Sequence, residues 1–334
     1  MNLPTKIAYF LYHGLALATR STYDSHVRGY MEACRLAGLQ HRDGSLFPAE
    51  LLWIENWVVE LAGRVKAKDI KKRVASLRSY HIDMGYDTRV FADEQLARVI
   101  RGVMRLYPDT TLPRERTPIT REILVQLLSQ LNLQTRRGAL LAAVFTLAFA
   151  AFLRSGEFTY TEEDLRDESF ADWFVTRASV RFDPKGKFML LHLPASKTDS
   201  FRVGLTITVA HHPGDRFCPV RMMANYFWVC PPGSMREPLF SREGHIPFTR
   251  EYLVQELQGM ASAVGIQGNF TGHSFRRGAA TWARLNGLSD EQIQQLGRWK
   301  SDAYKLYIDS PHIDKLALSQ TFLGYYPIPT FANP

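Results

Sequence analysis

The chain has 334 residues, of which 46% are hydrophobic and 22% are charged. These values are typical of a folded globular protein rather than a disordered one, and the length allows two domains. Lysine and arginine outnumber aspartate and glutamate by 41 to 33, a net charge of +8, which favours an anionic partner. No apolar run is long enough for a membrane-spanning helix, so no membrane partner is predicted.

The sequence offers no pattern for a disulfide framework, a metal site or a nucleotide cofactor. The three cysteines, Cys34, Cys218 and Cys230, form no Cys-x-x-Cys pair, and we interpret them as buried thiols. The histidines lack the spacing of metal ligands, and no glycine-rich phosphate loop is present. We therefore predict no metal and no cofactor.

The first third of the chain has helical periodicity and no convincing strand. Helices are predicted from Thr22 to Cys34, from Pro48 to about Leu61, from Lys66 to Met84 and from Asp93 to Leu106. Gly38 ends the first of them. The pattern indicates an all-α domain over residues 1–110.

The third predicted helix combines an apolar stripe with a dense basic surface. Between Arg64 and Arg78 there are seven lysines and arginines against the single acid Asp69. Such a run forms either a solvated face or a contact with nucleic-acid phosphates. The residues predicted to bind DNA are Lys68, Lys71, Lys72 and Arg78.

A linker is predicted over residues 111–117, because the stretch Pro108–Pro118 holds three prolines and has no periodicity. Thr117 is expected to cap the next helix, and the apolar stretch Leu140–Leu153 to form a buried central helix. Three strands follow, as a small antiparallel meander. Their predicted bounds are Ala178–Phe182, Phe188–Leu193 and Val203–Val209. The predicted fold class is mainly α with a small antiparallel β-sheet.

Two motifs near the C-terminus carry chemistry. Residues 271–280 read TGHSFRRGAA and residues 296–307 read LGRWKSDAYKLY. They supply His273 and Arg276 three residues apart on one helical face, then Trp299 and Tyr307. These side chains suit the attack of a phenol on a phosphodiester. A phenol has a pKa of about 10, so its attack needs a proton acceptor, neutralised phosphate charge and an acid for the leaving oxygen.

Each of these tasks has a candidate, and the leaving-group acid could be Lys197, in the turn between the second and third predicted strands. The guanidiniums of Arg154 and Arg276 can each bind two phosphate oxygens. His273 can accept the phenolic proton, and the indole N–H of Trp299 can bind a phosphate oxygen. The alternatives are a helix-end role for Arg154, a helix cap for His273 and core packing for Trp299.

The order of these residues resembles the C-terminal box of the tyrosine recombinases, also called the phage-integrase family. The wording GHSFRRGAAT and GRWKSDAYKLYI is most similar to recombinases of eukaryotic mobile elements such as Cryptons and DIRS-like elements. Arg154-x-x-Glu157 resembles the first family motif, in which the acid, here Glu157, supports the active site. The turn LPASKTD resembles the family's β-hairpin lysine, which implies that Lys197 protonates the leaving group.

The resemblance implies a site-specific DNA recombinase or integrase of a mobile element. A helical, SAM-like core-binding domain (1–110) and a mixed α/β catalytic domain (118–334) would clamp double-stranded DNA. A homotetramer would bind two DNA sites and exchange strands through a Holliday junction. Each strand would be cut and rejoined through a 3′-phosphotyrosine, without metal or ATP. The protein would act in a DNA-containing compartment, the nucleus if the host is eukaryotic.

Two residue assignments have close competitors. Tyr307 lies eight residues after Trp299, one fewer than in several phage members, so Tyr304 is an alternative nucleophile. Arg277 adjoins Arg276, but only Arg276 keeps the His-x-x-Arg interval.

Three other functions are compatible with parts of the sequence. A type IB topoisomerase shares the phosphotyrosine step, and a domesticated DNA-binding protein would have lost it. The stretch Ile7–Leu17 imitates a signal peptide and suggests a secreted hydrolase, but His13 and Gly14 interrupt it and no nucleophile elbow is present.

Overall fold

The computed structural model describes residues 5–108, 116–195, 203–299, 301 and 304–305. The chain divides into two compact units, Met1–Arg114 and Glu115–Pro334. Each unit has its own hydrophobic core.

The described residues of the first unit form helices joined by loops, with no strand. Its helices are α1 (Thr5–His13), α2 (Leu17–Leu36), α3 (Leu51–Glu60), α4 (Ala67–Met84) and α5 (Glu94–Leu106). Helix α2 packs on α4, and α3 packs on α5. Tyr30 and Trp57 meet edge to face in the core, with ring centres 5.4 Å apart. The first helix predicted from the sequence begins earlier than expected, at Leu17 rather than Thr22.

The second unit surrounds a buried central helix. Its helices are α6 (Arg121–Ser129), α7 (Arg136–Ala150), α8 (Glu162–Arg166), α9 (Phe170–Trp173), α10 (Pro219–Val229), α11 (Arg250–Ala263), α12 (Ser274–Leu285) and α13 (Asp290–Gly297). Every residue of α7 from Gly138 to Phe149 is buried, since α10 and α12 pack against it. Gly278 lets α12 approach the segment before α6, because a Cβ there would lie 1.8 Å from the Ile119 carbonyl oxygen.

Two predicted helix bounds in this unit are wrong. Helix α6 begins at Arg121 and is capped by Thr120, whose Oγ1 accepts the Ile123 N–H. Thr117, the predicted cap, instead accepts a hydrogen bond from the Asn269 N–H at 2.9 Å. Helix α7 ends at Ala150 rather than Leu153, because Phe152 adopts a left-handed backbone conformation with φ 50°.

A three-stranded antiparallel sheet with the order β1-β2-β3 completes the unit. Its strands are β1 (Val180–Phe182), β2 (Phe188–Leu193) and β3 (Leu205–Ala210). Leu191 lies opposite Val180 on one side and Ile207 on the other. The first strand starts two residues later than expected, because Arg177–Ser179 forms a 3₁₀ turn. A mainly helical chain with a small antiparallel sheet confirms the predicted fold class.

Within the part of the chain that the structure describes, no single helix is long and apolar enough to cross a membrane. Helix α7 and the segment Ser155–Arg166 reach that length and hydropathy only as a pair bent by 114°. The three cysteines are buried and unpaired. No group of side chains among the described residues has the composition of a metal site.

Candidate active site

A tight turn after α7 presents Arg154. The turn is set by Phe152 at φ 50° and continues as a 3₁₀ turn over Ser155–Glu157. The Glu157 carboxylate closes back on Arg154. Its Oε2 accepts the Arg154 backbone N–H at 2.9 Å, and its Oε1 accepts Nη1 at 2.9 Å. The Glu157 side chain is only 4% exposed, so this ion pair fixes where the Arg154 guanidinium lies.

The loop before α12 brings His273 to the same turn. A Cβ on Gly272 would lie 2.4 Å from the Ser155 Oγ, so only glycine allows this close approach without displacement. The loop is closed by Thr271, whose N–H donates to the Ser274 Oγ at 2.9 Å. His273 is therefore placed beside the turn that carries Arg154.

Burial and positive charge keep His273 neutral. Burial lowers the pKa of His273, and so do the nearby guanidiniums of Arg116, Arg250, Arg276 and Arg154. Its Nδ1 is buried and has no hydrogen-bond partner among the described residues. A neutral imidazole beside several guanidiniums can accept a proton at neutral pH.

Arg276 lies beneath the surface of the unit, with 0% exposure. Its Nη1 donates to the Phe152 carbonyl at 2.5 Å, and its Nη2 donates to the Gly297 carbonyl. The guanidinium carbon lies 4.1 Å from the centre of the Trp299 ring. Arg276 thus joins the turn after α7 to the segment that follows α13.

Trp299 packs at the centre of this segment. Its ring contacts Phe152 edge to face at 6.2 Å and lies 6.1 Å from the Tyr304 ring. Tyr304 is only 3% exposed. The contacts described for both rings are packing contacts.

The structure brings together Arg154, Glu157, His273, Arg276 and Trp299. Lys197 and Tyr307 lie outside the described residues. Arg277 is half-buried and follows Arg276 on α12.

Sequence reasoning missed three arginines near this cluster. Arg298 binds Glu157 through Nη2 at 2.8 Å. Arg250 begins α11, and its Nε lies 3.7 Å from the position of a Cβ on Gly272. Arg116 acts electrostatically on His273. Arg298 stands directly before Trp299 in the motif, but Arg116 and Arg250 are distant in sequence and carry no motif.

The predicted DNA-binding residues share the outer face of α4 in the first unit. Lys68, Lys71, Lys72 and Arg78 are all exposed. Ile70 and Leu77, on the opposite face, are buried in the core. Lys72 pairs with Asp69 at 2.8 Å.

Comparison with known proteins gives one sequence relative and several structures of similar fold. No protein-family model matches the chain. An integrase/recombinase xerD homolog of Selenomonas ruminantium is 26% identical over 283 residues, covering 80% of this chain and 76% of that protein.

Three DNA-bound structures have similar folds. XerH site-specific recombinase on its difH substrate has a TM-score of 0.55 at 11% identity, over 92% of this chain and 79% of that one. A lambda integrase dimer on a COC′ core site has a TM-score of 0.54 at 15% identity, over 91% and 75%. The Tn1549 transposon integrase with circular intermediate DNA has a TM-score of 0.53 at 16% identity, over 92% and 94%.

The sequence relative and the structures of similar fold are tyrosine recombinases. The sequence relative covers most of both chains, and the shared fold extends over both units. On that fold Arg154, His273 and Arg276, drawn from separate stretches, meet beside the segment that leads to the C-terminal tyrosines. The chain is similar to the tyrosine recombinases in sequence and in fold.

Proposed function

We propose that this protein is a site-specific DNA recombinase that cuts and rejoins strands through a 3′-phosphotyrosine on Tyr307. The observation that carries the proposal is the convergence of Arg154, His273 and Arg276. Gly272 packs on the turn of Arg154, and Arg276 binds the Phe152 carbonyl of the same turn. Such a cluster suits an anion with the charge of a phosphodiester.

The two predicted phosphate ligands differ in accessibility. The Arg154 side chain is 18% exposed, and a phosphate can reach it directly. Arg276 has both terminal nitrogens on backbone carbonyls. Because Arg276 is also fully enclosed, we expect a phosphate to reach it only after the residues that cover it move.

The proposed reaction is a balanced transesterification. The Tyr307 phenolic oxygen attacks phosphorus while His273 takes the phenolic proton. The bond from phosphorus to the 5′ oxygen breaks, and Lys197 gives that oxygen a proton. The phosphotyrosine ester is similar in energy to the phosphodiester that it replaces. A 5′ hydroxyl can therefore attack it and rejoin the strand. Trp299 walls one side of the site.

Burial of Tyr304 supports the choice of Tyr307 as nucleophile. The Tyr304 ring packs on Trp299 and is almost fully enclosed. A nucleophile must reach the phosphate, and Tyr304 could do so only by leaving this packed position.

The proposed partner is double-stranded DNA, with the basic face of α4 contacting its phosphates. Four protomers would assemble on two DNA sites. The sequence after Ser310 lies outside the described residues, but Pro311 and the apolar positions Ile313, Leu316 and Leu323 predict a last helix, and we propose that this C-terminal tail docks on a neighbour. Light scattering of the DNA complex, with and without that tail, measures this assembly. An unchanged mass after deletion would refute the tail's role.

The cellular compartment follows from the partner. The protein acts where DNA is present, and we extend this to the nucleus if the host is eukaryotic, because the motif wording resembles Crypton and DIRS-like recombinases. Imaging of a fluorescent fusion in a eukaryotic cell tests the extension, and exclusion from the nucleus would contradict it.

The decisive experiment captures the covalent intermediate. The protein is incubated with a pool of nicked duplexes of randomised sequence, in which cleavage releases a short strand and traps the adduct. Adducts that survive denaturant are sequenced, and the modified peptide is mapped. We expect a linkage from Tyr307 to a DNA 3′ phosphate. Tyr307→Phe should bind DNA normally and form no adduct.

Four outcomes would change the proposal. A linkage through a DNA 5′ phosphate, or no adduct at all, would overturn it, and the latter would favour a DNA-binding protein without catalysis. An adduct on Tyr304 would correct the nucleophile. Relaxation of supercoiled plasmid without joining of separate sites would favour a type IB topoisomerase.

A further inference from the structure

We propose that Arg298 is a positioning residue for strand cleavage, acting on Arg154 through the shared carboxylate of Glu157. This inference rests on the proposed function, because it assigns a role within that reaction. The hydrogen bonds described for Arg298 go to Glu157 and to backbone carbonyls rather than to His273. It affects Arg154 because both arginines donate hydrogen bonds to the buried carboxylate of Glu157.

Glu157 is shared unequally between the two arginines. Among the described residues its Oε1 accepts only Arg154 Nη1, at 2.9 Å. Its Oε2 accepts both the Arg154 backbone N–H, at 2.9 Å, and Arg298 Nη2, at 2.8 Å. Arg298 therefore fills the place at Oε2 that a second nitrogen of the Arg154 guanidinium would otherwise take.

That occupancy keeps Arg154 available for phosphate. An arginine facing a free carboxylate closes on it with two parallel hydrogen bonds. Here, among the described residues, Glu157 is bonded to the Arg154 guanidinium through Nη1 alone. The remaining nitrogens of Arg154 can then bind phosphate oxygens. Without Arg298, the Glu157 carboxylate would form a bidentate ion pair with Arg154 and turn its guanidinium away from the DNA.

The backbone at Arg298 shows that this side chain is held in place. Arg298 ends α13 in the left-handed conformation, φ 57° and ψ 43°, which glycine adopts far more readily than arginine. Its guanidinium also donates to the Ala151 carbonyl at 2.9 Å and to the Phe152 carbonyl at 3.4 Å. Phe152 is itself left-handed. Two strained backbone positions are thus joined by one side chain.

These contacts link the nucleophile-bearing segment to the phosphate ligand. Arg298 stands between Gly297, which binds Arg276, and Trp299, which packs on Tyr304. When the segment is seated as the structure has it, Arg298 reaches Glu157. Arg154 is therefore oriented when the segment that leads to Tyr307 is in place.

The test measures single-turnover adduct formation at saturating DNA, using a nicked duplex recovered from the selection above. Arg298→Gly suits this test because glycine accepts the left-handed backbone. We expect the cleavage rate to fall on the order of ten- to a hundredfold, as for other residues that orient a catalytic ligand, with DNA affinity unchanged. Arg284→Ala is the matched control, since Arg284 forms an exposed pair with Asp290 and should keep the wild-type rate.

Two further readouts separate positioning from general destabilisation. Guanidinium ion at millimolar concentration should partly restore Arg298→Gly by filling the vacated place, and urea should not. Because Arg298 acts through Glu157, the double variant with Glu157→Gln should be no slower than Arg298→Gly alone. If Arg298→Gly fails to fold, the same measurements are made on Arg298→Lys. Lysine keeps the charge but cannot bind the Glu157 carboxylate and both backbone carbonyls at once.

The outcomes are distinct. A wild-type rate in a folded Arg298 variant, or fully additive effects with Glu157→Gln, would overturn the role of Arg298 while leaving the recombinase proposal intact. Absence of any adduct with the wild-type protein would instead overturn the recombinase proposal, and this inference with it.

Discussion

At the residue scale, the site holds several positively charged side chains close together. Their mutual repulsion is unfavourable until an anion binds among them. Arg154, Arg276 and Arg298 donate to three backbone carbonyls and one carboxylate. Burial and nearby guanidiniums lower the pKa of His273. Like charges in one place destabilise the DNA-free protein. A bound phosphodiester would relieve this repulsion, which couples DNA binding to completion of the site.

His273 should therefore titrate differently with and without DNA. In the free protein its pKa should lie below the usual 6.5, because burial and the surrounding guanidiniums lower it. DNA phosphate should raise it, since a nearby anion favours the imidazolium. NMR of the imidazole protons measures both values, with His273→Asn to assign the resonance. A pKa at or above 6.5 in the free protein would contradict the described environment.

Gly272 should be essential for placing His273. Gly272→Ala puts a Cβ 2.4 Å from the Ser155 Oγ, so the loop must shift, and a displacement near 1 Å can lower a rate on the order of a hundredfold. Gly156→Ala is the control, because a Cβ there meets nothing within 4 Å. Adduct formation measures the effect, and Ser155→Gly should restore part of it. Equal rates for both alanine variants would refute the steric argument.

At the element scale, a buried histidine on α4 holds two loops of the first unit by hydrogen bonds. His81 on α4 accepts the Ala49 N–H at Nε2, 3.1 Å away, and its Nδ1 donates to the Asp87 carbonyl at 2.9 Å. Both nitrogens are satisfied only in the neutral ring. Protonation would break the bond to Ala49 and bury a charge, and burial accordingly lowers the pKa of His81.

This histidine should make the first unit sensitive to acid. Its folded pKa lies below the unfolded value of about 6.5, so below pH 6.5 the unfolded chain binds more protons. The stabilisation is fully present above that pH and is lost as pH falls, by at most ~1.4 kcal/mol per pH unit. Denaturant unfolding from pH 7.5 to 5 measures it. His81→Gln should flatten the dependence, and an unchanged slope would contradict the assignment.

At the scale of the whole molecule, the net charge of +8 attracts DNA from any direction, whereas binding depends on where the charges stand. The basic residues of α4 form one exposed face. By contrast, Arg166 pairs with Glu162 within α8. Counterions are released only where a cation meets a phosphate.

Two variants of equal net charge should therefore differ in the salt dependence of DNA binding. If Lys71 contacts one phosphate, Lys71→Ala should reduce the slope of log affinity against log salt by about 0.9. Arg166→Ala should leave the slope unchanged. Fluorescence anisotropy across salt concentrations measures both. Equal slopes for the two variants would show that total charge, rather than the α4 face, governs binding.

Local patterns in the sequence determined the helices, the three strands and the motif residues. The apolar stripe of α4, the alternating strands and the spacing of His273 and Arg276 depend on near neighbours, so they can be read without the fold. The errors lie at element ends. Thr117 has the composition of a cap, but its hydroxyl is taken by Asn269, and α7 stops early because Phe152 turns left-handed.

Only the tertiary structure decided how the site residues are held. It buried Arg276 against Trp299, divided Glu157 between Arg154 and Arg298, and placed Arg250 beside Gly272. These contacts join residues far apart in sequence, and no local periodicity encodes them. The sequence shows which charged residues the chain contains. Which of them contact one another depends on their burial and distances in the folded chain.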